Sequence, residues 1–329
     1  VNEDLMDHET RTLLAGSLKE MFEGEAVDIE AALAELGWDD VIGSYPAAAE
    51  LLFAEHGRAL AHSRSLDAVL LHELTDVLPA TQGTRALAYP LPSPSAGLTS
   101  DEDTIDGVVL TGLDGVDEVV VPVSTAGGIG IVVVPIADID SEPLGSIESD
   151  STWLRVRGRR VPGVGADATA QWDRAVASGR RALAAEIIGA CGAALQLAID
   201  HTSSRNQFGQ PISGFQAVRH RLSEAHVAIA AAQGMLDAAW ADLNPDTATA
   251  AKALAGRAQA TTSRTVLQVC GAVGISAEHP MHRFVERGAV LDALLTPQLL
   301  LVEQLGSSLL AGEQILHLTE INAAPIGTA

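Results

Sequence analysis

The chain is short of basic residues, of cysteine and of aromatic side chains, and each shortage closes off a class of function. Twenty Lys and Arg stand against 43 Asp and Glu, a net charge of −23 at pH 7. Phosphate backbones are held by clustered Lys and Arg, so nucleic acid is excluded as a partner, and an anionic membrane surface would repel the chain. Aromatics make up 3% of residues, too few for a base-stacking platform. Two cysteines, Cys191 and Cys270, cannot build a disulfide framework. Both sit in Ala/Gly-rich stretches, where cysteine acts as a small buried hydrophobe. No run reaches about 18 uninterrupted apolar residues, the length of a membrane span. Residues 1–7 lack the basic-then-apolar order of a signal peptide. The expectation is a soluble, cytoplasmic protein.

What is present is apolar. Hydrophobic residues are 47% of 329 positions, enough for a large core spread over two or three structural units. Three textures follow one another. Residues 1–84 place apolar side chains at helical spacing: Leu13, Leu14, Leu18, Met21 and Phe22, then Ile29, Leu33 and Leu36, then 47–53 and 66–78. Gly43 and Pro46 punctuate them. Residues 85–163 carry β-branched runs at 119–123 and 129–136 and alternating segments at 104–111 and 153–161, with turns between, which predicts a small antiparallel sheet domain. Residues 164–329 are rich in Ala and Leu. Long helices are predicted over 176–203, 215–243 and 247–270, and with them an antiparallel four-helix bundle. The fold class is α+β: shortened N-terminal helices (1–84), a small middle β domain (85–163) and a C-terminal long-helix bundle (164–329). The bundle helices are Ala-rich on nearly all sides, as at 182–198 and 248–260, which calls for burial on all sides.

Two segments carry chemistry. The first is Arg205-Asn-Gln-Phe-Gly-Gln-Pro-Ile-Ser-Gly-Phe-Gln216, a Gly turn between two long helices. The second is Gln268-Val-Cys-Gly-Ala-Val-Gly-Ile-Ser-Ala-Glu-His-Pro-Met-His-Arg283. Taken singly, Arg205 satisfies a helix dipole, and Gly271 and Gly274 make a C-cap and turn. Together the two segments resemble the acyl-CoA dehydrogenase family, flavoproteins that desaturate acyl-CoA thioesters. The first resembles that family's Arg-x-x-Phe-Gly junction. The second keeps Gln268, Gly271, Gly274, Ile275, Glu278 and Arg283 of its C-terminal signature. It departs at Ala272, where a second Gly is usual, and at Arg287, where an acid usually ends the signature. The order of the three textures matches the family's architecture.

The resemblance implies roles. Both turns would reach across a subunit interface to a neighbour's FAD. Arg205 would neutralise the diphosphate with its guanidinium fork, Gln207 and Phe208 would contact the adenine end, and Gln268 and Gly271 would approach through their amides. The family's catalytic Glu stands at one of two places. Counting on from the C-terminal signature lands on Leu295 or Thr296; counting back from Arg205 lands on Gly179, beside Arg180. Neither place holds a Glu. Glu186 lies seven residues on, about 10.5 Å along a helix, too far for a base that must come within about 3 Å of its proton. A buried Glu186 would need a partner. The flavin-ring side is eroded too: 86–90 and 113–119 lack the usual Thr/Ser pair, and no Gly-rich loop lies between Trp38 and Ala47.

The implied function is that of a shorter accessory subunit in a heteromeric FAD-dependent acyl-CoA dehydrogenase, a kind known from actinobacterial steroid side-chain catabolism. A full-length partner would supply the catalytic Glu, in an even-numbered assembly such as a heterotetramer. An electron-transfer protein would be the acceptor, and this chain would supply no catalytic residue. Two rivals stand beside it: a homo-oligomeric dehydrogenase with a relocated base at Asp292 or Glu186, and a purely structural subunit that contacts no flavin. The remaining constellations are weak. His279 and His282 flank Pro280 without a metal-ligand cluster. Ser93, Ser95 and Ser100 show no nucleophile elbow. The Gly127-Gly-Ile-Gly130 stretch reads as a hairpin turn, and 102–106 as a solvated acidic turn.

Overall fold

The computed structural model describes residues 6–24, 28–91, 98–101, 103–148, 151–159, 167–276 and 278–312. Ser93, Ser95, Glu102, residues 160–163 and the Ala-rich end at 323–329 lie outside them.

Helices come first: α1 (His8–Glu23), α2 (Ile29–Glu35), α3 (Trp38–Ser44), α4 (Ala48–Ala59) and α5 (Ser65–Glu73). Asp7 and Asp28 start α1 and α2 as N-caps, their carboxylates accepting from Thr10 N at 2.8 Å and Ala31 N at 3.1 Å. Strands follow: β1 (Arg85–Leu87), β2 (Thr104–Val109), β3 (Glu118–Thr125), β4 (Gly128–Pro135), β5 (Asp140–Pro143) and β6 (Leu154–Arg159). They form two three-stranded sheets, β1-β3-β4 and β2-β6-β5. The sheets share one apolar layer of Ile105, Val109, Val119, Val121, Val134 and Val156. The β3–β4 hairpin turns at Ala126–Gly127, as the glycines predict. The sheets are not purely antiparallel as expected: β1 pairs with β3 in parallel. A chain arriving from the N-terminal helices runs along β3 in the same direction, and no local turn constrains that pairing.

The C-terminal part is α6 (Thr169–Ser204), a hairpin of β7 (Asn206–Gln207) and β8 (Gln210–Pro211), α7 (Gln216–Asp242), α8 (Pro245–Cys270), α9 (Ala272–Ile275), α10 (Met281–Ala293) and α11 (Gln298–Leu310). α6 begins seven residues before the expected start. Thr169 opens it, with Asp167 Oδ1 accepting from its N–H at 3.0 Å, while Thr169 Oγ1 accepts from Ile129 N of β4 at 2.9 Å. One residue thus ties the bundle to the sheet. Asn244 caps α8, with Pro245 at its first position. The Ala-rich stretches of α6 and α8 find their burial inside this chain, against each other and against α4 and α7. Two helical stretches, Thr169–Ser204 and Met281–Leu310, are long and apolar enough to span a bilayer. The first is packed mostly inside the fold, and the second breaks at 294–297 into α10 and α11.

The N-terminal helices join the bundle through one crossing. A Cβ on Gly57 of α4 would overlap the Glu186 carbonyl of α6, and a Cβ on Gly189 of α6 would overlap the Ala54 carbonyl of α4. The two backbones touch at paired glycines, with no room for a methyl group. Gly57→Ala and Gly189→Ala are each expected to destabilise the fold by about 1–3 kcal/mol or more through overpacking. Gly192, one turn on, has open space where a methyl group would stand, and is the control. Gly192→Ala is expected to be neutral or to stabilise by up to about 1 kcal/mol. Urea unfolding of the three variants checks this; equal midpoints for Gly189→Ala and Gly192→Ala would refute the crossing.

Candidate functional site

The two sequence motifs meet at one end of the bundle. α7 runs back along α6 and α8 runs forward again, so α6 and α8 end side by side. Buried Ala194, Ala198, Val266, Cys270 and Met281 fill the space between them. The His201 and His279 rings meet edge to face, centroids 5.9 Å apart, and join the two turns. The chain leaves α6 at Arg205, and the β7–β8 hairpin lifts Phe208 to its tip in the left-handed region (φ 54), followed by Gly209 (φ 82). Phe208 is 92% exposed, and its ring meets Phe215 edge to face. Gly271 ends α8 at φ 63. Arg205, Gln207, Gln268 and Gly271 are all exposed. Among the described residues no carboxylate lies within 4 Å of the Arg205 guanidinium.

The other end of the bundle holds a cavity of about 590 Å³ between α6, α8, the turn into α11 and the sheets. One counted position for a base, Leu295–Thr296, lines its wall, and the other, Gly179, is packed behind Leu295. Gly179 packs against Leu295 and Leu70, and a Cβ there would stand 2.6 Å from Leu295 Cδ1 and 2.7 Å from Leu70 Cδ1, so both leucines would have to shift. Leu295 (φ 49) and Thr296 (φ 85) form a strained left-handed turn. Arg180 pins that turn: Nε donates to Leu295 O at 3.2 Å and Nη2 to Thr296 Oγ1 at 3.3 Å, while Nη1 donates to Thr249 Oγ1 at 2.8 Å. Burial pushes the Arg180 guanidinium down to about 10. Where a carboxylate base would stand, the wall carries a leucine and a guanidinium. Sequence reasoning passed over Arg180, whose one signal was its place next to Gly179.

Neither relocated-base candidate is placed for the work. Glu186 is 2% exposed, with Oε1 accepting from Arg287 Nη2 at 2.7 Å, from Arg287 Nε at 3.2 Å and from His56 Nδ1 at 3.0 Å. Arg287 also donates to the Ala61 carbonyl at 2.6 Å and faces His62 and Glu148. The partner that a buried Glu186 needs is thus the very residue that departs from the family signature. Burial alone would raise the Glu186 carboxyl; His56 and Arg287 outweigh it and hold it at about 2. Asp292 Oδ1 accepts from Gln298 N at 3.2 Å, capping α11, and lies 3.5 Å from the fully buried Lys252 ammonium, which burial pushes down to about 8. No sequence signal could have paired His56 with Glu186, 130 residues apart.

Glu186→Gln is expected to cost roughly 3 kcal/mol at pH 7, from the drop of the carboxyl from 4.5 to about 2 and the buried arginine left behind. A carboxylate held below its unfolded value stabilises above that value, and the benefit fades as pH falls from about 4.5 toward 2. Urea unfolding at pH 7 and pH 3.5 should therefore show the gap between parent and variant narrowing at the lower pH. A gap that stays constant would refute the ionised pair.

With this geometry in place, relatives can be compared. Residues 170–293 match the family "Acyl-CoA dehydrogenase, C-terminal domain". The acyl-CoA dehydrogenase IpdE2 of Mycobacterium tuberculosis is 40% identical over 105 residues, 32% of this chain and 33% of that protein. The chain therefore aligns with about a third of that relative's length. The fold extends further. The ChsE4-ChsE5 complex from Mycobacterium tuberculosis contains a chain that superposes with a TM-score of 0.75 at 19% identity, covering 95% of this chain and 100% of the other. A glutaryl-CoA dehydrogenase from Mycobacterium smegmatis in complex with FADH2 superposes with a TM-score of 0.74 at 15% identity, covering 96% and 98%. Both motif turns and Glu186 lie within the matched segment, which is similar to the C-terminal domain of acyl-CoA dehydrogenases.

Proposed function

We propose that this chain is the accessory subunit of an FAD-dependent acyl-CoA dehydrogenase that desaturates a bulky acyl-CoA, the catalytic Glu coming from a full-length partner subunit. One observation supports the reading. The two positions for the family's base, Gly179 and Leu295, lie against each other and neither bears a carboxylate, while the two motif turns stand exposed at the far end of α6. Arg180 and Arg205 lie near opposite ends of that helix, roughly 37 Å apart along its axis at about 1.5 Å per residue. A chain that offers its motif end outward and has no base of its own suits a site shared with another subunit.

The residues at the motif end fit FAD. Arg205 has no carboxylate among the described residues to neutralise it and would hold the diphosphate. Phe208, exposed on its hairpin beside Gln207, would lie against the adenine end. Gln268 and Gly271 would present amides, with Gly271 already in the left-handed region that other residues avoid. Held there, FAD would supply the two-electron acceptor that removal of a hydride from the acyl β-carbon requires. The acyl α-proton would go to the partner's Glu. An even-numbered assembly built on a two-fold axis, such as a heterotetramer, would use each motif end once, and an electron-transfer protein would reoxidise the complex. The homo-oligomer with a relocated base is disfavoured by the partners of Glu186 and Asp292 described above.

Co-expression with a full-length homologue is expected to give a yellow, active complex, and this chain alone a colourless, inactive one. Yellow colour and turnover from this chain alone would overturn the reading. Within the complex, Arg205→Ala is expected to weaken flavin retention by a few kcal/mol, read as flavin content after gel filtration; unchanged flavin would remove Arg205 from the site and favour a purely structural subunit. Asp292→Asn is expected to leave turnover within about tenfold, whereas loss of a general base costs about 10²–10⁴-fold.

A further inference from the structure

The two histidines that join the motif turns take no part in the proposed flavin contacts. His201 stands in the last turn of α6, just before Arg205, and His279 stands in the turn that leads into α10. Their rings meet edge to face with centroids 5.9 Å apart, and both residues are half-buried. Each ring is held in a way that suits its neutral form. The His201 Nε2 is buried and has no hydrogen-bond partner. An imidazolium carries an N–H on both nitrogens, so in the charged form that atom would be a buried donor without an acceptor, which costs free energy. The His279 Nδ1 accepts from the Met281 N–H at 3.2 Å, which it can do only while it carries no proton.

We propose that the His201–His279 contact is a pH-sensitive clasp: neutral rings hold the two motif turns together, and protonation lets them part. The surrounding charges act in that direction. Burial, then His279 and Arg205, push the His201 imidazole below its ordinary value. From α8 comes Cys270, whose thiol burial pushes up, so it is neutral as well. His282 on α10 donates from Nδ1 to the His279 carbonyl at 2.7 Å. Arg219 at the start of α7 spends its guanidinium on the Ser213 and Gly214 carbonyls, and Asp200 accepts from Gln196 Nε2 at 2.9 Å. Among the described residues no carboxylate lies within 4 Å of a ring nitrogen of His201, His279 or His282. The negative end of the α6 dipole favours a cation, but Arg205 N and Ser204 Oγ donate to the His201 carbonyl at 3.0 and 3.1 Å and blunt it. A base held below its ordinary value in the closed form favours closure above about pH 6.5 and loses that preference as pH falls from there. The consequence, a flavin end that loosens in acid, rests on the function proposed above; the clasp itself does not.

The test is hydrogen–deuterium exchange, read by mass spectrometry on the full chain in whatever assembly it purifies. Rates at pH 7.5 and 5.5 are each divided by the intrinsic rate of an unstructured peptide at that pH. Protection of segments 201–216 and 268–276 is expected to fall at least about threefold at the lower pH, while segment 183–192, at the α4–α6 crossing, changes by less than about 1.5-fold. His201→Phe keeps an aromatic edge against His279 but takes no proton, and should hold the fall of both turns below about 1.5-fold. His201→Tyr is the second such variant, should the first fail to fold. Turns that keep their protection at pH 5.5 in the parent chain, or a fall as large in the variants as in the parent, would overturn the clasp. Exchange is read without flavin, so the two readings fail separately: a colourless co-expressed complex overturns the proposed function, and unchanged protection overturns the clasp.

Discussion

The close crossing of α4 over α6 is the constraint on which the rest of this structure depends. Gly57 and Gly189 let two helix backbones touch, each backbone filling the space where the other's methyl group would stand. That approach sets His56, one residue before Gly57, against Glu186, three residues before Gly189. With Glu186 charged and buried, a cation must come from elsewhere, and Arg287 of α10 reaches in to supply it. The same guanidinium holds the Ala61 carbonyl and faces Glu148, so the N-terminal helices, the sheets and the bundle share one buried ionic knot. Replacing such a pair by apolar groups could be neutral, but removing one member is costly.

This knot accounts for a departure that is puzzling in the sequence. Arg287 stands where an acid usually closes the family signature, and Glu186 stands where a carboxylate is too far along the helix to serve as a base. Each makes sense as the other's partner. The charge pair belongs to stability, and the catalytic reading of Glu186 falls away with it. Asp292 likewise serves the α11 N-terminus and the buried Lys252.

The two ends of α6 have diverged in character. One end keeps an exposed arginine, an exposed phenylalanine and a left-handed glycine, groups that gain from contact with something outside the chain. The other end carries a leucine and a guanidinium over a cavity. In a chain with one long central helix, these ends cannot act on the same bound molecule within one subunit, being roughly 37 Å apart along the helix.

The long helices, the order of helices, strands and bundle, and the two glycine-marked turns were legible in the sequence, because helical period, β-branching and turn residues are local signals carried within about 20 residues. The missing Glu at 179 and 295 was legible too, as simple absence. The parallel β1–β3 pairing, the meeting of Gly179 with Leu295 and the identity of Glu186's partners were not. Each joins residues about 30 to 130 positions apart, and no periodicity spans such distances. Local chemistry therefore determined which elements form and where the two glycine-marked turns fall. Only the tertiary packing, by bringing α4, α6 and α10 within hydrogen-bonding reach, decided that one carboxylate is a structural anchor and that one arginine faces a cavity with neutral acceptors alone.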